Sequence, residues 1–248
     1  MASDWDFYLL QVDEQPASIF VDLGAINNAP MAQRPYMAYL SVLMNDPRPD
    51  GLSSQAEYDL LCQLENALDA ALCDGSGTYV GRCTAGGHRD FVFYIQDDAL
   101  WEKRVADLMS AFPAYKYSAG AREDRDWKTY LDFLYPSPED HRVINDRRVA
   151  ELLKSEGDTL ELPREIDYWA YFPDQQSCDS FIAEAMKLGF SVRDQAKDDE
   201  GARPFKAQLW RLDAPGAAGI SLITGLLSKL AAAVGGKYDG WESPVVSS

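Results

Sequence analysis

Two short runs of aromatic and β-branched residues open the chain. Trp5-Asp-Phe-Tyr-Leu-Leu-Gln11 and Ser18-Ile-Phe-Val-Asp-Leu23 flank a Glu14-Gln-Pro16 turn and predict a β-hairpin. Pro35 to Met44 is apolar on both faces, as a central or doubly covered strand requires. Asn45-Asp-Pro-Arg-Pro-Asp-Gly51 has the chemistry of a loop. Ser54 and Glu57 then carry the capping-box signature, and Leu61, Leu64, Leu68 and Leu72 follow at helical spacing as far as Gly75. Thr78–Thr84 and Phe91–Gln96 alternate as strands around Gly86-Gly87. A helix with Trp101, Val105, Leu108 and Phe112 on one face follows, then a strand over Tyr115–Ala121. Trp127–Leu134 reads as a strand or a short helix.

The second half repeats that order. Ser137-Pro138-Glu139-Asp140 combines a cap, an N1 proline and two acids at the positive end of a helix running to about Ser155. Ile166–Phe172 is a strand, and Ser177 is placed to cap a helix that turns Phe181, Ile182, Ala185 and Leu188 inward before Gly189. Ser191–Asp194 and Phe205–Leu212 pair around the charged loop Lys197-Asp-Asp-Glu-Gly201. Pro215 opens a helix carrying Ile220, Ile223, Leu227, Leu230 and Val234, and Lys237–Glu242 is the last strand. Both halves follow β-α-β-β-α-β, the split βαβ or ferredoxin-like unit. The expected architecture is α+β: two tandem ferredoxin-like domains, 1–137 and 138–248, the first with an extra N-terminal hairpin and the two joined by a helix.

Composition fits this picture. The chain has 248 residues, of which 46% are hydrophobic and 25% charged, and at roughly 100–200 residues per domain each half can bury a core. With 23 basic and 40 acidic side chains the formal charge is −17. Residues 165–248 hold 12 acids and 8 bases, a balance of −4, which leaves −13 for the remaining residues. Such acidity argues against direct nucleic-acid binding through phosphates and against anionic membranes. The start Met-Ala-Ser-Asp-Trp-Asp lacks the basic and apolar regions of a secretory signal, so a cytoplasmic protein is expected. Cys62, Cys73, Cys83 and Cys178 include no C-x-x-C pair and have only His88 and His141 to join them, which predicts free thiols and no metal site.

Enzyme motifs are missing: there is no G-x-S-x-G, G-x-x-x-x-G-K-[ST], H-E-x-x-H or dinucleotide fingerprint. His88 sits beside a predicted hairpin turn, and His141 lies in the first turn of a helix. Carboxylates crowd Glu123-Asp124-Arg-Asp126 and Lys197-Asp198-Asp199-Glu200, but in loops of solvated-surface composition. No catalytic residue or cofactor is therefore expected. The alternative is an enzyme of unknown reaction that uses His88 or the carboxylates of the first domain.

Aromatic placement is more informative. A ferredoxin-like sheet buries one face under its helices. Ile166, Tyr168, Ala170 and Phe172 share a side, as do Phe205, Ala207 and Leu209, which leaves Trp169, Tyr171 and Trp210 on the other. That face could stack nucleobases, be covered by the first domain, or bind a protein, since Trp, Tyr and Arg supply most interface hot spots.

Arg147-Arg-Val-Ala-Glu-Leu-Leu-Lys-Ser-Glu-Gly-Asp158, Arg164-Glu-Ile-Asp-Tyr-Trp-Ala-Tyr-Phe172 and Tyr238-Asp-Gly-Trp241 closely resemble the regulator of ribonuclease E activity B family. Trp5-Asp-Phe-Tyr and Pro35-Tyr-Met-Ala-Tyr resemble the domain-of-unknown-function 695 family, which has no known activity. The first resemblance implies a non-catalytic, cytoplasmic protein that binds ribonuclease E and lowers its RNA-cleaving activity. Enterobacterial members carry a long acidic C-terminal tail, whereas this sequence ends in Glu242-Ser-Pro-Val-Val-Ser-Ser248. The expected partner surface is Trp169, Tyr171, Trp210, Tyr238, Asp239 and Trp241; the other reading of Tyr238-Asp-Gly-Trp241 is structural, with a bulge at Gly240 and Trp241 at the edge of the core.

Overall fold

The computed structural model describes residues 3–12, 14–197 and 201–246. The acidic run Asp198-Asp199-Glu200 lies outside them. The fold is α+β, with two antiparallel sheets in two compact units, residues 1–136 and 137–248. No helix among the described residues is long and apolar enough to cross a membrane.

In the first unit the chain runs β1 (Trp5–Val12), β2 (Gln15–Asp22), a 3-10 turn (Leu23–Asn27), β3 (Tyr36–Leu43) and α1 (Gln55–Leu72). It continues through β4 (Gly77–Ala85), β5 (His88–Ile95), α2 (Trp101–Met109), β6 (Lys116–Glu123) and a π-helical segment (Thr129–Leu134). Six strands form one sheet in the order β1-β2-β4-β5-β3-β6. The doubly apolar β3 is flanked on both sides, as its pattern predicts. The stripe of α1 (Leu61, Leu64, Leu68 and Leu72) is buried with Leu40, Phe91 and Phe93 of the sheet. The opposite face of the sheet is also covered. Tyr94 stacks on Trp127 with ring centroids 3.9 Å apart, and the Tyr8 hydroxyl donates to the Leu134 carbonyl at 3.0 Å. The π-helical segment therefore acts as a second covering layer, and the strand alternative for Trp127–Leu134 does not form.

Ser54 caps α1 by accepting from the Glu57 N–H at 3.3 Å, but only half of the expected box is made. The Glu57 carboxylate turns instead to the Asn45 and Asp46 N–H groups, at 2.8 and 2.9 Å, and ties the preceding loop down.

The second unit contains α3 (Pro138–Ser155), β7 (Arg164–Phe172), α4 (Gln175–Lys187), β8 (Ser191–Lys197), β9 (Phe205–Asp213), α5 (Ala217–Ala233) and β10 (Lys237–Glu242). Its sheet has the order β10-β7-β9-β8. A full capping box between Ser137 and Asp140 starts α3. The cap of α4 is Asp174, which accepts from the Ser177 N–H at 2.8 Å, so Ser177 lies inside the helix rather than at its cap. Ile166, Tyr168, Phe172, Phe181, Leu209, Ile220 and Leu227 form the core under α4 and α5.

Candidate functional site

The register of the second sheet settles which side chains share a face. Trp169 pairs with Gln208, Tyr171 with Lys206, and Trp210 with Asp167. Trp169, Tyr171 and Trp210 thus stand opposite the helix-covered core, and each is half-buried. On the far side of β7, Gly240 lies beside Trp169 and Lys237 beside Tyr171. The face is graded in charge. Lys206 and Lys237 flank Tyr171, while Asp167, Glu165 and Glu242 gather at the Trp210 end.

Arg193 stiffens the acidic end. Its guanidinium lies 5.3 Å from the Trp210 ring centroid, donates to Glu165 at 2.7 Å, and also donates to Asp167. Gln208 donates to the same Asp167 oxygen at 3.1 Å. Trp210 is thereby held by a cation against its ring rather than left to rotate, the geometry in which an aromatic anchor loses little entropy on binding.

Tyr238 and Trp241 do not join that face. Strict alternation would put them on opposite sides of β10, since they are three residues apart. A β-bulge between Tyr238 and Gly240 inserts one residue, so Tyr238 comes opposite Ala170 and Trp241 opposite Tyr168, both on the core side. Trp241 is 6% exposed and belongs to the core, and Tyr238 packs against it. Neither ring is presented beside Trp169, which corrects the grouping expected from the sequence. Asp239 is the extra residue of the bulge; it is exposed and lies 3.9 Å from Lys237 Nζ. Gly240 has φ +148, and a Cβ there would meet nothing within 4 Å. Backbone conformation, not crowding, calls for glycine at this position.

Beneath the bulge lies a cleft of about 700 Å³ between α3, α5 and β10, entirely within the second unit. Its inner wall is a buried polar cluster centred on Asp146. The Asp146 carboxylate accepts from Trp241 Nε1 at 2.9 Å, Thr224 Oγ1 at 2.6 Å, Arg142 Nη1 at 2.8 Å and Ser221 Oγ at 3.2 Å. Burial pushes the Asp146 carboxyl above its ordinary range, and these four donors offset only part of that. Burial likewise raises the Tyr238 phenol, with the Asp146 charge adding to it. Arg142 also donates to the Ser221 carbonyl at 2.9 Å and to Glu139 at 2.9 Å, and its guanidinium rests over Gly225, where a Cβ would come within 3.1 Å of Nη2. Sequence reasoning missed this cluster. Its one local signal is the Arg142–Asp146 spacing of four on a helix; the other members are far away along the chain.

A second buried pair ties down the rest of the motif. Arg164 donates to Asp158 at 2.5 Å and to Ser243 Oγ at 2.7 Å, while Asp158 also accepts from the Leu160 and Val246 N–H groups. Burial alone would raise the Asp158 carboxyl, but the Val246 and Leu160 N–H groups and the Arg164 guanidinium outweigh it and hold it below the usual range. Asp158, Arg164 and Trp241 are therefore scaffold.

The residues considered for catalysis do not converge. His88 is exposed next to the β4–β5 turn and does not line the cleft beneath the bulge. Asp124 caps the π-helical segment, accepting from the Lys128 and Thr129 N–H groups and from the Tyr94 hydroxyl. Glu123 pairs with Arg125 at 2.5 Å. The four cysteines are free thiols; Cys83 and Cys178 are buried, Cys62 and Cys73 half-buried.

Residues 3–135 match the model of a family of unknown function, DUF695, and residues 143–243 match the model described as regulator of ribonuclease activity B. No curated protein matches the chain. A solved structure titled as an unknown protein from Galdieria sulphuraria aligns at 13% identity over 86% of this chain and 99% of that chain, with a TM-score of 0.24.

Proposed function

This chain belongs to the DUF695 family of unknown function, and from the match of its second unit we propose a regulatory protein that acts by binding another protein. Three aromatic rings on the face away from the helices, one of them clamped by Arg193, carry this reading. Rigid, half-exposed Trp and Tyr are the side chains on which interfaces concentrate their energy. The strand orders β4-β5-β3-β6 and β10-β7-β9-β8, each built from β-α-β-β-α-β, support reading both units as ferredoxin-like. In the second unit this arrangement leaves one sheet face free of helices, whereas the π-helical segment covers that face in the first. The contact set is Trp169, Tyr171 and Trp210, with Asp239 at its edge.

The partner class follows from the second unit's family: an RNA-degrading endonuclease of the ribonuclease E type, met in the cytoplasm and slowed by the contact. The acidic end of the face, where Arg193 offsets only one of the three charges of Glu165, Asp167 and Glu242, and the −17 charge of the chain as a whole suit a basic, Arg-rich segment of such an enzyme. Complementary charge of this kind raises the association rate and is screened over about 8–10 Å at physiological salt. The test is co-elution of the full chain with the basic scaffold segment of a ribonuclease E-type enzyme over a salt series. Co-elution that weakens as salt rises supports the reading, and its absence at low salt removes it.

A further inference from the structure

The first unit has a cleft of about 600 Å³ bounded by the β1–β2 hairpin, the start of α1 and the loop before it. At its base lies Arg89, only 2% exposed. Its Nε donates to Thr84 Oγ1 and its Nη2 to Ser53 Oγ, both at 3.1 Å, while Nη1 has no acceptor among the described residues. The two other arginines of the cleft have acids of their own: Arg82 pairs with Glu65 at 2.8 Å and Arg48 with Asp50 at 2.5 Å. Arg89 has no carboxylate within ion-pair distance among the described residues. A full positive charge is therefore buried against two neutral hydroxyls. Burial, and then repulsion from Arg82, push the guanidinium down to about 10 against a partial offset from Glu65, which leaves it protonated at neutral pH.

Burying a charge without a counter-charge is among the most costly arrangements a fold can keep. The surroundings are nonetheless built to hold it. Gly51, with φ +81, lies so close to the β4–β5 turn that a Cβ would stand 2.8 Å from the Gly86 nitrogen. Gly87 donates to the Gly51 carbonyl at 2.9 Å and accepts from the Met44 N–H at 2.9 Å. The loop that carries Ser53 is thus fastened to the strand pair that carries Thr84 and Arg89. The mouth of the cleft is apolar, with Phe7 44%, Leu9 65% and Tyr58 46% exposed.

We propose that this cleft binds a small organic anion, a carboxylate or phosphate monoester on an apolar or aromatic body. The anionic oxygens meet the Arg89 guanidinium at the base of the cleft, with Ser53 and Thr84 fixing its plane. The body lies against Phe7, Leu9 and Tyr58. A planar guanidinium held on two of its three nitrogens is well oriented for such an anion.

The test titrates the full chain with phenyl phosphate, benzoate and inorganic phosphate, by calorimetry and by backbone amide shifts. Phenyl phosphate or benzoate should bind more tightly than inorganic phosphate and move the Ser53, Thr84 and Arg89 amides; which of the two binds better distinguishes a phosphate from a carboxylate ligand. Arg89→Met should weaken that binding by about 30-fold or more, and Arg89→Lys, which keeps the charge but not the fork, should fall between. Failure of all three probes to bind up to about 10 mM, equal binding by Arg89→Met, or shifts confined to other residues would overturn the proposal. If Arg89→Met does not fold, the shift map of the unmodified chain decides the matter.

Discussion

Asp146 accepts the indole N–H of Trp241 at 2.9 Å and so joins the helix that opens the second unit to the strand that ends it. The carboxylate is almost wholly buried beside Arg142, and every donor around it comes from α3, α5 or β10. Removing either partner has a different cost. Trp241→Phe keeps the ring in the core and loses one hydrogen bond to a charged acceptor, an expected loss of about 1.5–3 kcal/mol. Asp146→Ala removes the buried carboxylate from Arg142, leaving it only the exposed Glu139, and strands the Trp241, Thr224 and Ser221 donors, which should cost about 3–5 kcal/mol. Urea unfolding of the two variants checks the order; a smaller loss for Asp146→Ala than for Trp241→Phe would show that the cluster is not centred on the acid.

Gly240 offers a sharper test of the bulge. Since a Cβ at this position meets nothing, Gly240→Ala suffers only from the φ of +148, an expected cost of about 1–3 kcal/mol. Strain can be relieved by flattening the bulge, which would rotate Trp241 out of the core. Red-shifted tryptophan emission in the folded variant, together with a lower Tm, is the expected outcome. An unchanged Tm would mean that the chain does not hold this conformation in solution.

The two buried aspartates of the second unit act on acid stability with opposite sign. Asp158 has its folded pKa below the unfolded value of about 3.9, so its contribution is present above that value and lost as pH falls through the folded one. Asp146 has its folded pKa above the unfolded value, so the folded state binds its proton more tightly and stability falls as pH rises between the two. Asp158→Asn should therefore flatten the loss of stability below about pH 4, whereas Asp146→Asn should remove the opposing slope above it. Denaturation midpoints measured across the acid range check both signs.

Much of this architecture is legible from spacing. The stripe at Leu61, Leu64, Leu68 and Leu72, the alternation in Ile166–Phe172 and the glycines at the turns predict where most elements lie, because each depends on neighbours a few residues away. What escapes is non-local. Gly240 within a strand does point to a bulge, with Trp241 at the core edge, but the one residue of register that brings Tyr238 to the same side is invisible to alternation. Asp146 sits on a helix of mostly polar residues, and the partners that make it a buried hub come from α5 and β10. Arg89 stands in His88-Arg-Asp90, a polar start to a strand that reads as a surface edge; only the folded-back loop at Ser53 reveals it as buried. Alternation places Trp169, Tyr171 and Trp210 on one face, as the register has them, while of the motif-borne residues Trp241 belongs to the core, Tyr238 packs against it and Asp239 is exposed.

That division yields the most decisive experiment on the proposed interface. If the face of β7 and β9 meets the partner, truncating its rings should cost affinity, and truncating the motif should cost stability. Trp169→Ala and Trp210→Ala are each expected to weaken partner binding by about 2 kcal/mol or more, roughly 30-fold. Both should lower Tm less than Trp241→Phe does, since Trp169 and Trp210 are half-exposed and Trp241 is core. Arg193→Ala should act in the same direction as Trp210→Ala but more weakly, by releasing the ring it holds. Trp241→Phe, measured where it remains folded, should bind nearly as the unmodified chain does. The reverse pattern, with binding lost in Trp241→Phe and kept in Trp169→Ala and Trp210→Ala, would move the interface to the cleft beneath the bulge, where Asp239 and Lys237 form the exposed rim.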